Sequence, residues 1–203
     1  EKGYYLTLFF IYFIAHFGIL FLNDALFWDD WPLLNLSENN ILIMFNMTGN
    51  NLTGLIHILL LKIGIWSYRL FTFIFYFFSG FCLDKILKRN KIFESINIRF
   101  YIVSIFLTLP LVWARVSISI FPYVFSNLIF FVAWYFVYSN RKLSIIFFLM
   151  SFFIGSYLVF FIFPILEIFI KQKLHLRNFN SKLKFIRNNF FLLFSPFAFY
   201  IFK

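Results

Sequence analysis

Leu52 to Lys91 reads LTGLIHILLLKIGIWSYRLFTFIFYFFSGFCLDKILKRNK, and where this stretch breaks decides the fold. Its apolar part, Leu52 to Leu83, would run to about 48 Å as one helix, well beyond the hydrocarbon core of a bilayer. Something must bend. His57, Lys62, Gly64, Trp66 and Arg69 interrupt the first half. The expectation is therefore a short interfacial helix over Leu52 to Gly64 and a spanning helix over Trp66 to Leu83. Lys85, Lys88, Arg89 and Lys91 follow at once, and a basic cluster beside a span marks its cytoplasmic end. Asp84 and Glu94 are assigned to that charged inner loop.

Upstream, Tyr4 to Leu22 contains no charged residue and is long enough to cross once. Residues 23–65 then form a long first loop. Asn23 to Asn51 holds Asp24, Asp29, Asp30 and Glu38 without a Lys or Arg, and its turn-forming stretches are Ser37-Glu38-Asn39-Asn40 and Gly49-Asn50-Asn51. With the basic cluster inside, this acidic loop lies outside. Downstream, residues 98–114 and 118–138 make an out-and-back pair, linked near Arg115 and ending at Arg141 and Lys142. Residues 143–170 exceed one span, carry Gly155-Ser156 in the middle and have basic residues at both flanks, which favours paired short helices or a re-entrant hairpin. Residues 190–203 begin another span. Pro110, Pro122, Pro164 and Pro196 lie in or near spans and are expected as kinks.

Composition agrees with this reading. The chain is 63% hydrophobic and 13% charged, whereas soluble domains carry about 25% charged residues. The fold class expected is all-α: a polytopic transmembrane helix bundle, one domain over residues 1–203, whose first extracytoplasmic loop carries interfacial helices. A net charge of +10 would suggest nucleic acid in a soluble protein, but here the basic residues cluster between apolar runs. They set topology and attract anionic lipid, including the run from Lys171 to Phe190, so no nucleic-acid partner is expected. The 37 phenylalanines reflect compositional bias more than a ligand surface. Cys82, the only cysteine, excludes an intrachain disulfide and is expected to be buried. A start at Glu1 and a stop at Lys203 within an apolar run lead us to expect a truncated chain.

Trp28-Asp29-Asp30-Trp31-Pro32 is the stretch richest in chemistry. Adjacent carboxylates repel, and they are held together usefully when they share a metal ion, bind a cation or donor hydroxyl, or keep one of the pair protonated. The bland alternative is a pair of solvated loop charges between interfacial tryptophans. Arg115 on the outer side could pair with a phosphate or simply snorkel, and His57, Lys62 and Arg69 could face an anionic headgroup. Glu167 lies four residues before Lys171, which reads as a helix-surface ion pair.

The order of first span, outer loop opening on Asp29-Asp30, interfacial helix, bent second span and short hairpins resembles the GT-C superfamily of membrane glycosyltransferases. That family includes protein O-mannosyltransferases and aminoarabinose transferases. In the resemblance, Leu33 to Phe45 and Leu52 to Gly64 match its surface helices. Asn51 to Arg69 matches the approach to its second span, and Ser151 to Pro164 its short paired helices. The acidic doublet is the only sharp motif, and the chain ends before the family's later elements. The resemblance implies sugar transfer from a polyprenyl-phosphate donor to a glycan, lipid or protein acceptor on the extracytoplasmic side. Asp29 or Asp30 would be the catalytic base, the other positioning the acceptor or a divalent metal ion; no other cofactor is implied. Arg115 or Arg69, with His57, would bind the donor phosphate. The membrane expected is the bacterial cytoplasmic one, although an endoplasmic reticulum membrane presents the same physics. Two rivals are a lipid-linked glycan flippase or transporter, disfavoured by span centres that read as almost wholly apolar, and a non-catalytic membrane subunit.

Overall fold

Long apolar runs poor in Gly and Pro satisfy their backbone groups by coiling on themselves, and the chain is all-α, with no strand among the described residues. The computed structural model describes residues 2–21, 26–27, 30–49, 51–90, 93–109, 117–154, 156–171 and 179–202. Its helices are α1 (Lys2–Phe21), α2 (Asp30–Asn35), α3 (Glu38–Met47), α4 (Asn51–Ile63), α5 (Ile65–Arg89), α6 (Ile96–Thr108), α7 (Phe121–Phe136), α8 (Arg141–Ser151), α9 (Ser156–Phe160), α10 (Ile162–Lys171) and α11 (Phe179–Phe202). A 3-10 turn, Ile118–Ile120, leads into α7.

Side-chain contacts give the direction of each pass relative to α5. Tyr4 and Tyr5 meet Asp84, while Tyr12 donates to the Phe73 carbonyl (2.9 Å), so α1 is antiparallel to α5. Arg99 also meets Asp84 and Leu107 lies against Gly80, so α6 is antiparallel too. Phe121 packs on Tyr68 and the Trp134 carbonyl receives Arg89, which makes α7 parallel to α5. Ser144 donates to the Ala133 carbonyl (2.8 Å) and Phe148 packs on Phe130, turning α8 back along α7. Tyr157 donates to the Tyr123 carbonyl and Trp134 to Glu167, so α9 and α10 return in the direction of α7. The molecule therefore has two ends. Tyr68 and Phe121 lie at one, Asp84 and Arg89 at the other, about 24 Å away along α5.

Among the described residues two helices, Ile65–Arg89 and Ile118–Phe136, are long and apolar enough to cross a membrane. On α1 the exposed side chains Leu6, Phe10, Ile14, Phe17 and Phe21 recur at helical spacing, opposite the buried Leu8, Tyr12 and His16. Both faces of this helix thus bear large apolar groups.

Several expectations are corrected. The helix expected to stop at Leu83 continues to Arg89, and Asp84 is not in a loop: its side chain is 1% exposed and accepts from Tyr4 (2.8 Å), Tyr5 (2.6 Å) and Arg99 (3.3 Å). Three donors on Asp84 offset the cost of burying the carboxylate, and the carbonyls of Phe93 and Glu94, which accept from Arg99, help to offset that of the guanidinium. The interior of the helix expected as the second span is not wholly apolar either, because Ser67, Arg69, Thr72, Ser79 and Asp84 are all buried along α5. Leu33 to Phe45 is two helices, broken where the Ser37 side chain accepts the Asn40 N–H and caps α3. Glu167 pairs with Lys171 at 3.0 Å, yet it is 7% exposed rather than on a helix surface, and it also receives Arg89, Asn90 and Trp134. Cys82 is half-buried. Pro122 and Pro164 sit in the first turns of α7 and α10, where the missing N–H costs nothing and no kink results; Pro196 lies inside α11. Pro110 and Gly155 lie outside the described residues.

The bend that the 52–91 stretch requires is made at one residue. Gly64 sits at φ +121°, a conformation reserved for glycine, and a Cβ there would stand 3.2 Å from the Trp66 ring. Ser67 closes the corner by donating to the Leu60 carbonyl (3.1 Å).

Candidate functional site

The corner at Gly64 folds α4 against the start of α5 and brings His57 onto Tyr68. Tyr68 donates its proton to the His57 carbonyl (2.9 Å), so at the 2.8 Å contact between Tyr68 Oη and His57 Nδ1 the ring is the donor. The proton thus sits on Nδ1, and Nε2 carries a lone pair. That atom is buried and has no hydrogen-bond partner among the described residues. Phe45 stacks on the imidazole at 4.9 Å and Phe121 meets it edge-on at 6.4 Å.

Asp30 approaches the same cluster from the opening of the outer segment. Its N–H donates to the Phe27 carbonyl (2.8 Å) and the Phe27 N–H donates to Asp30 Oδ2 (3.1 Å), a reciprocal pair that turns the chain into α2. Oδ1 accepts from the Ser117 hydroxyl (2.6 Å) and the Ser119 N–H (3.1 Å), which come from the segment before α7. Ser117 spends its proton on Asp30, so the Ser119 hydroxyl donates to Ser117 across 2.7 Å. The Asp30 side chain is 1% exposed. A carboxylate offers about four lone-pair positions, and the three donors among the described residues leave one on Oδ2. Leu33, Leu60, Tyr68, Ile118 and Phe121 form the apolar wall around the group.

Burial pushes the His57 imidazole down to about 4, with the charge of Asp30 opposing that shift in part. The ring is neutral at neutral pH, with its Nδ1 proton directed at Tyr68 and Nε2 left as a hydrogen-bond acceptor. A stability consequence follows from the sign of the shift. The unfolded chain takes up a proton at its ordinary value near 6.5, whereas the folded chain refuses it until about 4. The contribution is therefore full above pH 6.5 and is lost as pH falls through this window, by about 2 kcal/mol between pH 7 and 5. Thermal unfolding of the detergent-solubilised chain at both pH values, compared with His57→Phe, isolates it from the carboxylates common to both proteins. Equal losses in the two would show that His57 is protonated when folded.

The structure brings two of the expected site residues together, Asp30 and His57. Arg69 is buried at the same end of α5, one residue after Tyr68, and so projects from a neighbouring face. Asp29 and Arg115 lie outside the described residues. Ser117, Ser119 and Tyr68 were not expected. The polar alternation Ser117-Ile118-Ser119-Ile120 just before a Pro-led helix is the one local signal for the serines, while Tyr68 is legible only once the chain is bent at Gly64. The shell of Asp30 consists of hydrogen-bond donors, and among the described residues no group of three His, Cys, Asp or Glu side chains gathers to hold a metal ion. Comparison with protein-family models, curated proteins and solved structures finds no match.

Proposed function

We propose that the chain is a membrane-embedded glycosyltransferase that moves a sugar from a polyprenyl-phosphate donor to an acceptor outside the cytoplasm, in a bacterial cytoplasmic membrane. The membrane setting is supported by the outward apolar stripe of α1, by the two long apolar helices and by passes that alternate between two ends. The outer loop then lies at the end that holds Asp30. Transfer is supported by the resemblance in the order of features and, above all, by one observation: the doublet's Asp30 is a donor-supported carboxylate with one lone pair left among the described residues, beside a neutral histidine.

In this reading Asp30 takes the acceptor hydroxyl proton as the new glycosidic bond forms and the bond from the sugar to phosphate breaks. The leaving electron pair goes to the phosphate, whose charge Arg69 or Arg115 stabilises. Asp29 positions the acceptor. Asp30→Asn keeps the size of the side chain and removes the base, so transfer falls by about 10²-fold or more. The test is mass spectrometry of lipid-linked sugars and surface glycans in cells lacking the gene, complemented with wild type or Asp30→Asn at matched membrane levels. Donor that accumulates unused with the variant supports the reading. Full restoration by the variant removes its basis.

A second reading is favoured by the depth of Asp30. A carboxylate this buried, with three of its positions filled from two segments, also suits a staple in a non-catalytic membrane subunit. That reading predicts unfolding or loss of a partner rather than accumulated donor.

A further inference from the structure

Helices α8 and α11 run parallel, and a groove of about 620 Å³ opens between them. At one end Arg141 donates to the Asn188 carbonyl (2.5 Å) and to the Asn189 side chain; at the other, Phe152 and Phe153 pack on Phe199. Between these contacts the groove is walled by Ile145, Leu149, Phe191 and Phe194, and only its Arg141 end is charged. Lys142 stands exposed at that mouth, carries no salt bridge among the described residues, and has no Asp or Glu beside it in the lining. Arg141 Nε is buried there without a hydrogen-bond partner among the described residues.

We propose that this groove seats one anionic phospholipid, with its phosphate at Lys142 and the Arg141 end and an acyl chain along the apolar wall. Charge and shape argue together. An apolar trough open along its length and cationic at one end matches an amphiphile with an anionic head, and the Arg141 end is on the basic, cytoplasmic side in the topology above, where anionic headgroups lie. Zwitterionic lipids share the tail but not the net charge, so the mouth discriminates between them. The site is remote from Asp30 and rests only on the membrane setting of the proposed function.

Native mass spectrometry of the full chain in detergent, titrated with phosphatidylglycerol or with phosphatidylcholine of the same acyl chains, tests this. One phosphatidylglycerol is expected to stay bound at concentrations where phosphatidylcholine is not retained. Lys142→Gln, at an exposed position, is expected to weaken retention about fivefold, the effect of one cation near a lipid headgroup. Ala198→Trp fills the trough and is expected to abolish retention while the helical circular dichroism stays unchanged. Equal retention of both lipids overturns the proposal, as does phosphatidylglycerol binding that neither variant alters. A dimer that Ala198→Trp dissociates would seat a second copy in the groove and overturn it as well. None of these readouts depends on sugar transfer, so the two proposals fail separately.

Discussion

Asp84→Leu is expected to destabilise the chain by about 3–5 kcal/mol, the range for removing one member of a buried ion pair. The carboxylate joins three helices: Tyr4 and Tyr5 of α1 donate to it, and Arg99 of α6 pairs with it from a side chain that is itself buried. Leucine fills the space but removes the counter-charge of the Arg99 guanidinium and the carboxylate that accepts from both tyrosine hydroxyls. Most of the cost arises from what remains, so Asp84→Leu combined with Arg99→Leu is expected to recover a large part of it. Chemical unfolding of the detergent-solubilised proteins, followed by circular dichroism, reads both. A single-variant loss below about 1 kcal/mol, the scale of an exposed pair, would mean that the cluster does not hold α1 and α6 to α5.

Glu167→Leu is the second large effect, expected at about 3 kcal/mol. Arg89 reaches the carboxylate with two nitrogens (3.0 and 2.8 Å), Lys171 with one (3.0 Å), and Asn90 and the Trp134 indole complete the shell. Without Glu167 two cations face each other over the Tyr138 ring, which each approaches at 4.6 Å. Both side chains keep some contact with water, at 20% and 28% exposure, and this relief puts the effect toward the lower end of the buried-pair range. Lys62 and Glu38 are the internal comparison. They pair at 3.1 Å between α4 and α3 with exposures of 61% and 62%, and Glu38→Ala is expected to change stability by less than about 1 kcal/mol. Similar losses for Glu167→Leu and Glu38→Ala would mean that burial adds nothing to the Glu167 cluster.

The candidate site was partly legible for a physical reason that can be named. Asp30 announces itself because two adjacent carboxylates between tryptophans repel each other, and His57 because a histidine interrupts an apolar run. Their partners do not announce themselves. Ser117 is 87 residues from Asp30, and a serine hydroxyl in a chain with many serines carries no pattern until the fold brings it to 2.6 Å. The protonation state of His57 is likewise not legible in the sequence, because it depends on burial and on the nearby charge of Asp30.

What the sequence determined by itself is whatever depends on local, periodic or compositional terms. These are the all-helical class, the need for a break within Leu52 to Leu83, and the basic clusters beside apolar runs. Helix formation and transfer of side chains out of water are nearly additive along a chain, so they can be summed from the residues alone. Only the tertiary structure decided that Asp84, Arg99 and Glu167 lie inside, that Leu33 to Phe45 is two helices, and that Asp30 meets Ser117 and Ser119. A charged side chain reads as surface because burying it alone costs several kcal/mol. Whether that cost is offset depends on donors and counter-charges contributed by other helices, and their positions exist only once the chain has folded.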